Sequence, residues 1–296
     1  MQKISGVVFI VISAVAFGCM PLFAIYAYEA GVDPTSLLFL RFLAAGLFML
    51  LVMSVRKIPF PRGKSLAGLV GMGAIGYFGQ SLCYFNALTY ASAGLVALLL
   101  YLYPALVTAL SALIFKERVT RAKVLALVLA LAGAALVIGP GWEGQTLGIG
   151  LGLGAALIYS LYILTGNRIL KDVAVFPSSA VIMMSAGVAF GILAAFSGLQ
   201  LPESPTGWLA MLGLTILSTI VAILAFMAGM QRVGPTNAAL LSTLEPVVTV
   251  GLAYLLLGES LTISKVAGGG LILAAVLILA CRAEPRPAPA AFGKNP

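Results

Sequence analysis

The chain has 296 residues, of which 61% are hydrophobic and only 9% are charged. Soluble domains carry about 25% charged residues, so this composition excludes an ordinary soluble protein and indicates an integral membrane protein. The net charge of +8 does not indicate a nucleic-acid partner, because the aromatic residues are not interleaved with basic ones as a base-stacking surface requires.

Ten stretches of the sequence are apolar and long enough to cross a bilayer, which takes about 20 residues per helix. In chain order, these predicted spans lie at 4–28, 34–55, 65–87, 92–115, 121–139, 146–167, 176–197, 208–230, 236–257 and 264–281. Residues 283–296 are rich in proline and alanine and are predicted to form a disordered cytoplasmic tail. The sequence thus predicts an all-α integral membrane protein with ten transmembrane helices.

The distribution of lysine and arginine predicts the orientation, because these residues accumulate on the cytoplasmic side. With the N-terminus in the cytoplasm, all of the 17 basic residues except Lys265 and Arg41 fall in cytoplasmic segments. Trp142 and Trp208 then lie at the outer boundary, where tryptophan anchors a membrane protein. We therefore expect a multi-pass protein of a bacterial-type inner membrane, with both termini in the cytoplasm.

An internal repeat appears when the sequence is shifted by 142 residues. The stretch ALLLYLYPALVTALSALIFKERVT (97–120) then aligns with ALLSTLEPVVTVGLAYLLLGESLT (239–262) without a gap. Chance similarity between apolar runs does not explain why proline, glutamate and lysine match at one offset, as in Pro104 and Pro246. Each half contains five predicted spans, so the second half enters the membrane from the opposite side.

The charges of one loop agree with this inversion. RKIPFPRGK (56–64) contains four basic residues, whereas its counterpart GLQLPESPT (198–206) contains none. The sequence predicts two inverted five-helix repeats, at 1–141 and 142–282. Inverted repeats are typical of transporters, which bind substrate near the midplane between the two halves.

Corresponding helix breaks are the best sequence indication of such a site. Pro104 and Pro246 each remove a backbone hydrogen bond and disfavour helical geometry in the residue before them. We predict kinks at both prolines and assign them a hinge role. The alternative is that each proline makes a kink that serves only packing.

The order of these motifs resembles a known group of transporters. The chain is similar to the drug/metabolite transporter superfamily, EamA branch. The similarity lies in the ten spans, in LYP and LEP within the fourth and ninth spans, and in FKER and LLGES after them. The segment LEPVVTVGLAYLLLGESLT is the most specific part of the resemblance, which covers nearly the whole chain. Within that branch the chain resembles the YddG-type aromatic amino-acid exporters. The resemblance implies an inner-membrane exporter with a central cavity.

Two charged residues lie deep within the predicted spans, away from the ends. Glu245 is the only acidic residue deep in a span, and intramembrane ionisable residues are candidates for function. Three interpretations stay open for it: binding a substrate ammonium, carrying a coupled proton, or forming a structural hydrogen bond near the kink. Arg41 either extends towards the outer boundary or pairs with a substrate carboxylate or with Glu245.

Polar and aromatic residues on several spans are predicted to line the substrate cavity, since aromatic faces accept rings and cations and amides fix polar groups. The candidates are Tyr77, Gln80, Ser81, Tyr84, Tyr101, Tyr103, Tyr159, Tyr162, Asn237, Ser242 and Glu245. The alternative for each is ordinary packing or interhelical hydrogen bonding. Phosphorylated substrates are not favoured, because they call for several lysines or arginines in the cavity.

We therefore predict a secondary transporter that exports neutral or aromatic amino acids and similar small metabolites by alternating access. The alternatives are export of drug-like organic cations, for which Glu245 would be the main anchor, and a non-transporting membrane scaffold or receptor. With no histidine and no cysteine cluster, we expect no catalytic residue, no metal and no cofactor, and not an enzyme. Ten spans in two complementary halves can enclose a cavity alone, so we expect a monomer in the lipid bilayer.

Overall fold

The computed structural model describes residues 2–87, 89–91, 93–139, 145–258 and 260–282. Within these residues, ten helices are long and apolar enough to cross a membrane. They are span 1, Ile4–Glu29; span 2, Pro34–Val55; span 3, Gly63–Ala87; span 4, Leu95–Phe115; span 5, Arg121–Ile138; span 6, Thr146–Ile169; span 7, Val175–Ser197; span 8, Pro205–Val233; span 9, Pro235–Leu256; and span 10, Ile263–Cys281. The prediction of ten spans is confirmed. Trp142 and the predicted tail lie outside the described residues.

Five of the spans are not continuous α-helices. Spans 3 and 8 each contain a π-helical turn, and spans 1, 4 and 9 are interrupted. The segments are Gln2–Gly18 and Met20–Glu29 in span 1; Gly63–Gly71, Met72–Tyr77 (π) and Phe78–Ala87 in span 3; Ala93–Leu100 and Tyr103–Phe115 in span 4; Pro205–Thr215, Ile216–Val221 (π) and Ala222–Val233 in span 8; and Pro235–Leu241, Ser242–Leu244 (3₁₀) and Glu245–Leu257 in span 9.

Side-chain caps explain where several helices begin. Asp33 precedes span 2 and accepts hydrogen bonds from the backbone N–H groups of Thr35 at 2.9 Å and Ser36 at 3.3 Å. Ser204 caps span 8 in the same way, through the N–H of Gly207 at 3.2 Å. In both cases a proline occupies the first turn, where its missing N–H costs no intrahelical bond.

The ends of spans 4 and 9 share one local geometry, 142 residues apart. Lys116 and Gly258 end these helices in the left-handed conformation, with φ of 54° and 68°. Thr120 and Thr262 then cap the following helices by accepting from backbone N–H groups at 3.4 and 3.3 Å. The same sequence offset that relates the two halves therefore relates their helix caps.

The most extensive helix pairings all join one half of the chain to the other. Span 2 packs on span 7, span 5 on span 10, span 1 on span 8, and span 3 on span 6. Spans 4 and 9 also contact each other. Each span of one half can be exchanged for the equivalent span of the other half, which is five spans away in the chain. This exchange gives the same set of pairings. Such an arrangement is compatible with the inverted repeat, whose orientation in the membrane stays a prediction.

Glycines allow the closest of these approaches. A Cβ at Gly133 of span 5 would lie 2.6 Å from the carbonyl oxygen of Gly268 in span 10, and the reverse distance is also 2.6 Å. A Cβ at Gly46 of span 2 would lie 2.8 Å from the Cα of Met184 in span 7. Small residues at helix contacts let backbones approach closely, which is how helices pack in a membrane.

The outer surface of the bundle carries large apolar side chains. Leu113, Phe196 and Ile263 are 76%, 86% and 89% exposed, a degree of exposure that water would oppose. The lipid bilayer supplies an apolar environment for such side chains. The protein is therefore a multi-pass membrane protein.

Candidate functional site

The candidate site lies where the interruptions of spans 4 and 9 meet. Span 4 loses helical geometry between Leu100 and Tyr103, directly before Pro104. Span 9 tightens into a 3₁₀ turn over Ser242–Leu244, directly before Glu245 and Pro246. Each proline lies in the first turn of the helix that follows, where its fixed φ is compatible with a helix start.

Hydroxyl groups donate to the carbonyls that precede the break in span 9. Ser242 Oγ donates to the carbonyl of Ala238 at 2.9 Å, and Thr243 Oγ1 donates to that of Leu240 at 2.6 Å. The carbonyl between them, of Ala239, accepts from the hydroxyl of Tyr103 in span 4 at 3.4 Å. The backbone N–H of Ser242 also donates to the carbonyls of Ala238 and Leu240, so the two hydroxyls are additional donors at the interruption. The hydroxyl of Tyr103 links the two broken helices.

Tyrosine rings from three spans line up beside this crossing. Tyr103 contacts Tyr159 edge to face, with ring centroids 4.8 Å apart, and Tyr101 follows at 6.5 Å. Tyr159 and Tyr162 stack at 6.0 Å on span 6, and Tyr162 contacts Tyr77 of span 3 at 5.6 Å. The structure thus brings five of the predicted cavity residues into one continuous row of rings.

Glu245 lies within electrostatic range of this row. Its charge interacts with five tyrosines, namely Tyr77, Tyr84, Tyr101, Tyr103 and Tyr159. The residue is only partly buried. Among the described residues no group donates a hydrogen bond to this carboxylate. The three interpretations of Glu245 therefore stay predictions.

Arg41 is buried inside the bundle, with 3% of its surface exposed. The expectation that its side chain extends to the membrane boundary is therefore wrong, because Met20 and Phe42 hold the guanidinium in the interior. It also interacts with the hydroxyl of Tyr77. Arg41 and Glu245 do not form an ion pair with each other.

Three predicted residues, Gln80, Ser81 and Asn237, form no hydrogen bond with the row of rings among the described residues. Ser81 is buried and donates a long hydrogen bond, 3.4 Å, to the Oε1 atom of its neighbour Gln80. Asn237 lies two helical turns before Glu245 and donates to the carbonyl of Val233 at 2.8 Å. Its buried Oδ1 atom has no hydrogen-bond partner among the described residues. Their place in a substrate site stays a prediction.

The interruption of span 1 has no counterpart in the sequence predictions. This helix breaks at Cys19, just before Pro21, and the break lies beside span 9. Thr249 Oγ1 donates to the carbonyl of Gly18 at 3.0 Å. A Cβ at Gly18 would lie 2.7 Å from the Cβ of Val248, so only glycine permits this approach. In the sequence, Pro21 within an apolar run indicates this interruption.

The two π-helical turns are also absent from the sequence predictions. One ends at Tyr77, so it helps to aim this ring at Arg41 and Tyr162. In the other, Thr219 Oγ1 donates to the carbonyl of Leu214 at 2.7 Å, and Ser218 Oγ donates to that of Ala16 in span 1 at 2.7 Å. Such turns occur frequently at functional sites.

Comparison with known proteins agrees with this architecture. The model of the EamA-like transporter family matches residues 4–139 and, a second time, residues 146–281. The chain belongs to the EamA-like transporter family. The two matches are separated by the same offset as the sequence repeat, and together they cover nearly all of the chain.

Several relatives of this EamA-like transporter carry names that agree with the family. An "Uncharacterized transporter" of Archaeoglobus fulgidus is 30% identical over 269 residues, which cover 91% of this chain and 94% of that protein. A "Probable amino-acid metabolite efflux pump" of Salmonella typhimurium is 29% identical over 262 residues, covering 83% and 85%. A solved crystal structure with 21% identity has a TM-score of 0.83 and covers 94% of this chain and 97% of that one. This last likeness shows the fold alone.

In this EamA-like transporter, a second polar cluster ties together the ends of three spans. Glu117 follows span 4, and its Oε1 atom accepts from the Nζ of Lys123 in span 5 at 2.5 Å. Its Oε2 atom accepts from the hydroxyl of Thr236, in the first turn of span 9, at 2.9 Å. The position that the repeat matches to Thr236 is Gly94, which has no hydroxyl. This connection therefore belongs to one face of the protein.

Proposed function

We propose that this EamA-like transporter is a secondary transporter that exports neutral amino acids with aromatic or other apolar side chains. The observation that carries the proposal is Glu245, a carboxylate to which no group of the described residues donates a hydrogen bond. It lies at the crossing of two interrupted helices, and its charge acts on four tyrosines of the row. The name of the Salmonella typhimurium relative, an amino-acid metabolite efflux pump, supports the same substrate class.

The residues of the site suit an amphipathic substrate. Tyrosine faces attract both apolar rings and cations, so the row from Tyr77 to Tyr101 offers a surface for a substrate side chain. The Glu245 carboxylate offers an acceptor for a substrate ammonium. Arg41 is the only basic residue among the buried side chains of the described chain, which does not favour phosphorylated substrates.

Alternating access supplies the mechanism. Two inverted halves can exchange conformations, so that a site between them opens first to one side of the membrane and then to the other. The interruptions at Pro104 and Pro246 lie beside the site, and helices bend most readily where backbone hydrogen bonds are already missing. We assign the hinge role to these two breaks, with the basic loops and both termini on the cytoplasmic side.

Export of drug-like organic cations is the second candidate function. It is favoured by the same carboxylate, because a cation between Glu245 and the tyrosine faces would be attracted by both. Quaternary ammonium compounds and amino acids would then compete for one flux. Competition at similar concentrations supports the cation function, and the absence of any effect of the quaternary compounds supports amino-acid export.

The test is flux by the purified protein in liposomes with a panel of amino acids. We expect saturable flux of aromatic amino acids, reduced on the order of tenfold or more in Glu245→Gln, because the variant cannot accept a charge-assisted hydrogen bond. Glu29→Gln removes an exposed carboxylate at the end of span 1 and is the matched control. Repeating the assay with an imposed pH gradient separates proton exchange from facilitated movement. Wild-type flux from Glu245→Gln at every pH would refute the role of this residue.

A further inference from the structure

Arg41 is a buried cation without a counter-ion. Only 3% of its surface is exposed, and it forms no ion pair with a carboxylate of the described residues. Arginine stays protonated in proteins, so this charge cannot be removed by loss of a proton. A buried charge costs several kcal/mol unless it is paired. The unpaired guanidinium therefore destabilises the fold, which suggests that it has a function.

The partners of Arg41 are weak. One terminal nitrogen, Nη1, lies 2.8 Å from the sulfur of Met20, and a thioether is a poor hydrogen-bond acceptor. The guanidinium carbon lies 4.6 Å from the centroid of the Phe42 ring, and the hydroxyl of Tyr77 interacts with the group as well. The Nε atom is buried and has no hydrogen-bond partner among the described residues. The donors of Arg41 therefore exceed the acceptors around them.

Tyr77 relates this cation to the carboxylate of the candidate site. Its side chain interacts electrostatically with Arg41 and also with Glu245. The two charges of opposite sign thus act on the same tyrosine and form no ion pair with each other. A ligand that carries a negative and a positive group close together would compensate both charges at once.

We propose that Arg41 binds the carboxylate of the substrate and is the residue that makes the site selective for zwitterionic α-amino acids. The proposal rests on the proposed function and specifies how the substrate is recognised. Arginine presents two parallel N–H donors that match a carboxylate, and this interaction is much stronger than one with a thioether. The flexible side chain of Met20, next to the break in span 1, is displaced when the carboxylate arrives.

The recognition of both charged groups predicts which analogues are transported. Phenylalanine carries both groups, phenethylamine lacks the carboxylate, and 3-phenylpropionate lacks the ammonium. In proteoliposomes of the wild-type protein, we expect unlabelled phenylalanine to inhibit labelled phenylalanine flux about tenfold more strongly than either analogue, since each analogue leaves one buried charge unpaired.

Variants of Arg41 separate carboxylate binding from a structural role. Arg41→Gln is expected to raise the KM for phenylalanine by a factor on the order of 10 or more, while inhibition by phenethylamine changes by less than about threefold. Arg41→Lys keeps the charge without the planar fork and should restore part of the affinity. Arg56→Gln, which removes an exposed cation just after the same helix, is the matched control.

The outcomes distinguish this proposal from the proposed function. If the wild-type protein transports phenylalanine and phenethylamine inhibits it as well as phenylalanine does, the carboxylate is not recognised and the assignment of Arg41 is wrong. An equal loss of phenylalanine and phenethylamine affinity in Arg41→Gln also refutes it, because only a structural role affects both. If no amino acid is transported at all, the proposed function itself fails, whatever the Arg41 variants do.

Discussion

The contact between spans 5 and 10 predicts a large difference between two glycine substitutions on one helix. A Cβ added at Gly268 would lie 2.6 Å from the carbonyl oxygen of Gly133 and 2.9 Å from the Cβ of Leu136. A Cβ added at Gly270, two residues later, would have no atom within 4 Å. Gly268→Ala therefore perturbs the helix contact, and Gly270→Ala is its matched control.

The size of the effect follows from this geometry. Ordinary contacts of a Cβ begin near 3.4 Å, so the two backbones must separate by several tenths of an ångström or more in Gly268→Ala. Overpacking of this kind costs about 1–3 kcal/mol. Alanine also favours a helix over glycine by about 1 kcal/mol, but this gain applies to both variants and cancels in their difference. We expect Gly268→Ala to be less stable than Gly270→Ala by about 1–3 kcal/mol.

Thermal unfolding of the purified protein in detergent measures this difference. At about 2–4 °C per kcal/mol for large domains, Gly268→Ala should unfold several degrees below Gly270→Ala. The double substitution of Gly133 and Gly268 by alanine should be lower again, since both new methyl groups enter the same contact. Equal unfolding temperatures for the two single variants would show that spans 5 and 10 do not approach through Gly268.

Two further substitutions test the links between broken helices. Thr236→Val removes the hydroxyl that donates to Glu117. The conformation in which the ends of spans 4, 5 and 9 separate should then be favoured by about 1–2 kcal/mol, or about 5–30-fold. A cysteine introduced at the buried Ala239, in a cysteine-free background, should then be labelled faster by a maleimide, and an unchanged rate would contradict the role of this bond. Tyr103→Phe removes the hydroxyl that bonds to the Ala239 carbonyl and should lower stability by about 0.6–2 kcal/mol in thermal unfolding. Tyr26→Phe, on an exposed ring, is its control, and equal stability of the two would refute the link.

Helix number and position were predictable from the sequence because hydropathy alone determines them. The predicted span at 34–55 coincides with the helix Pro34–Val55, and the predicted span at 121–139 differs from Arg121–Ile138 by one residue. A run of apolar residues bounded by charges and prolines leaves no other place for a membrane helix to begin or end. The family was also recognisable, because LYP and LEP lie at matched positions.

The site was only partly predictable, because helical spacing does not show which spans face one another. Tyr77, Tyr103, Tyr159 and Tyr162 lie on three spans, and the structure places their rings in contact. The position of Arg41 was not predictable, since its burial depends on Met20 of a different span. The π-helical turns leave no clear sequence signal, as they depend on how spans 3 and 8 pack.

The pairing of helices across the two halves has a consequence for the synthesis of the protein. Span 1 finds its main partner in span 8, which the ribosome completes roughly 200 residues later, and this takes about 10–40 s at 5–20 residues per second. During that interval spans 1, 2, 3 and 5 lack the helices on which they pack most extensively, because those helices belong to the second half. We therefore expect a chain truncated after span 5 to be unstable on its own, because the main packing partners of spans 1, 2, 3 and 5 are missing from it.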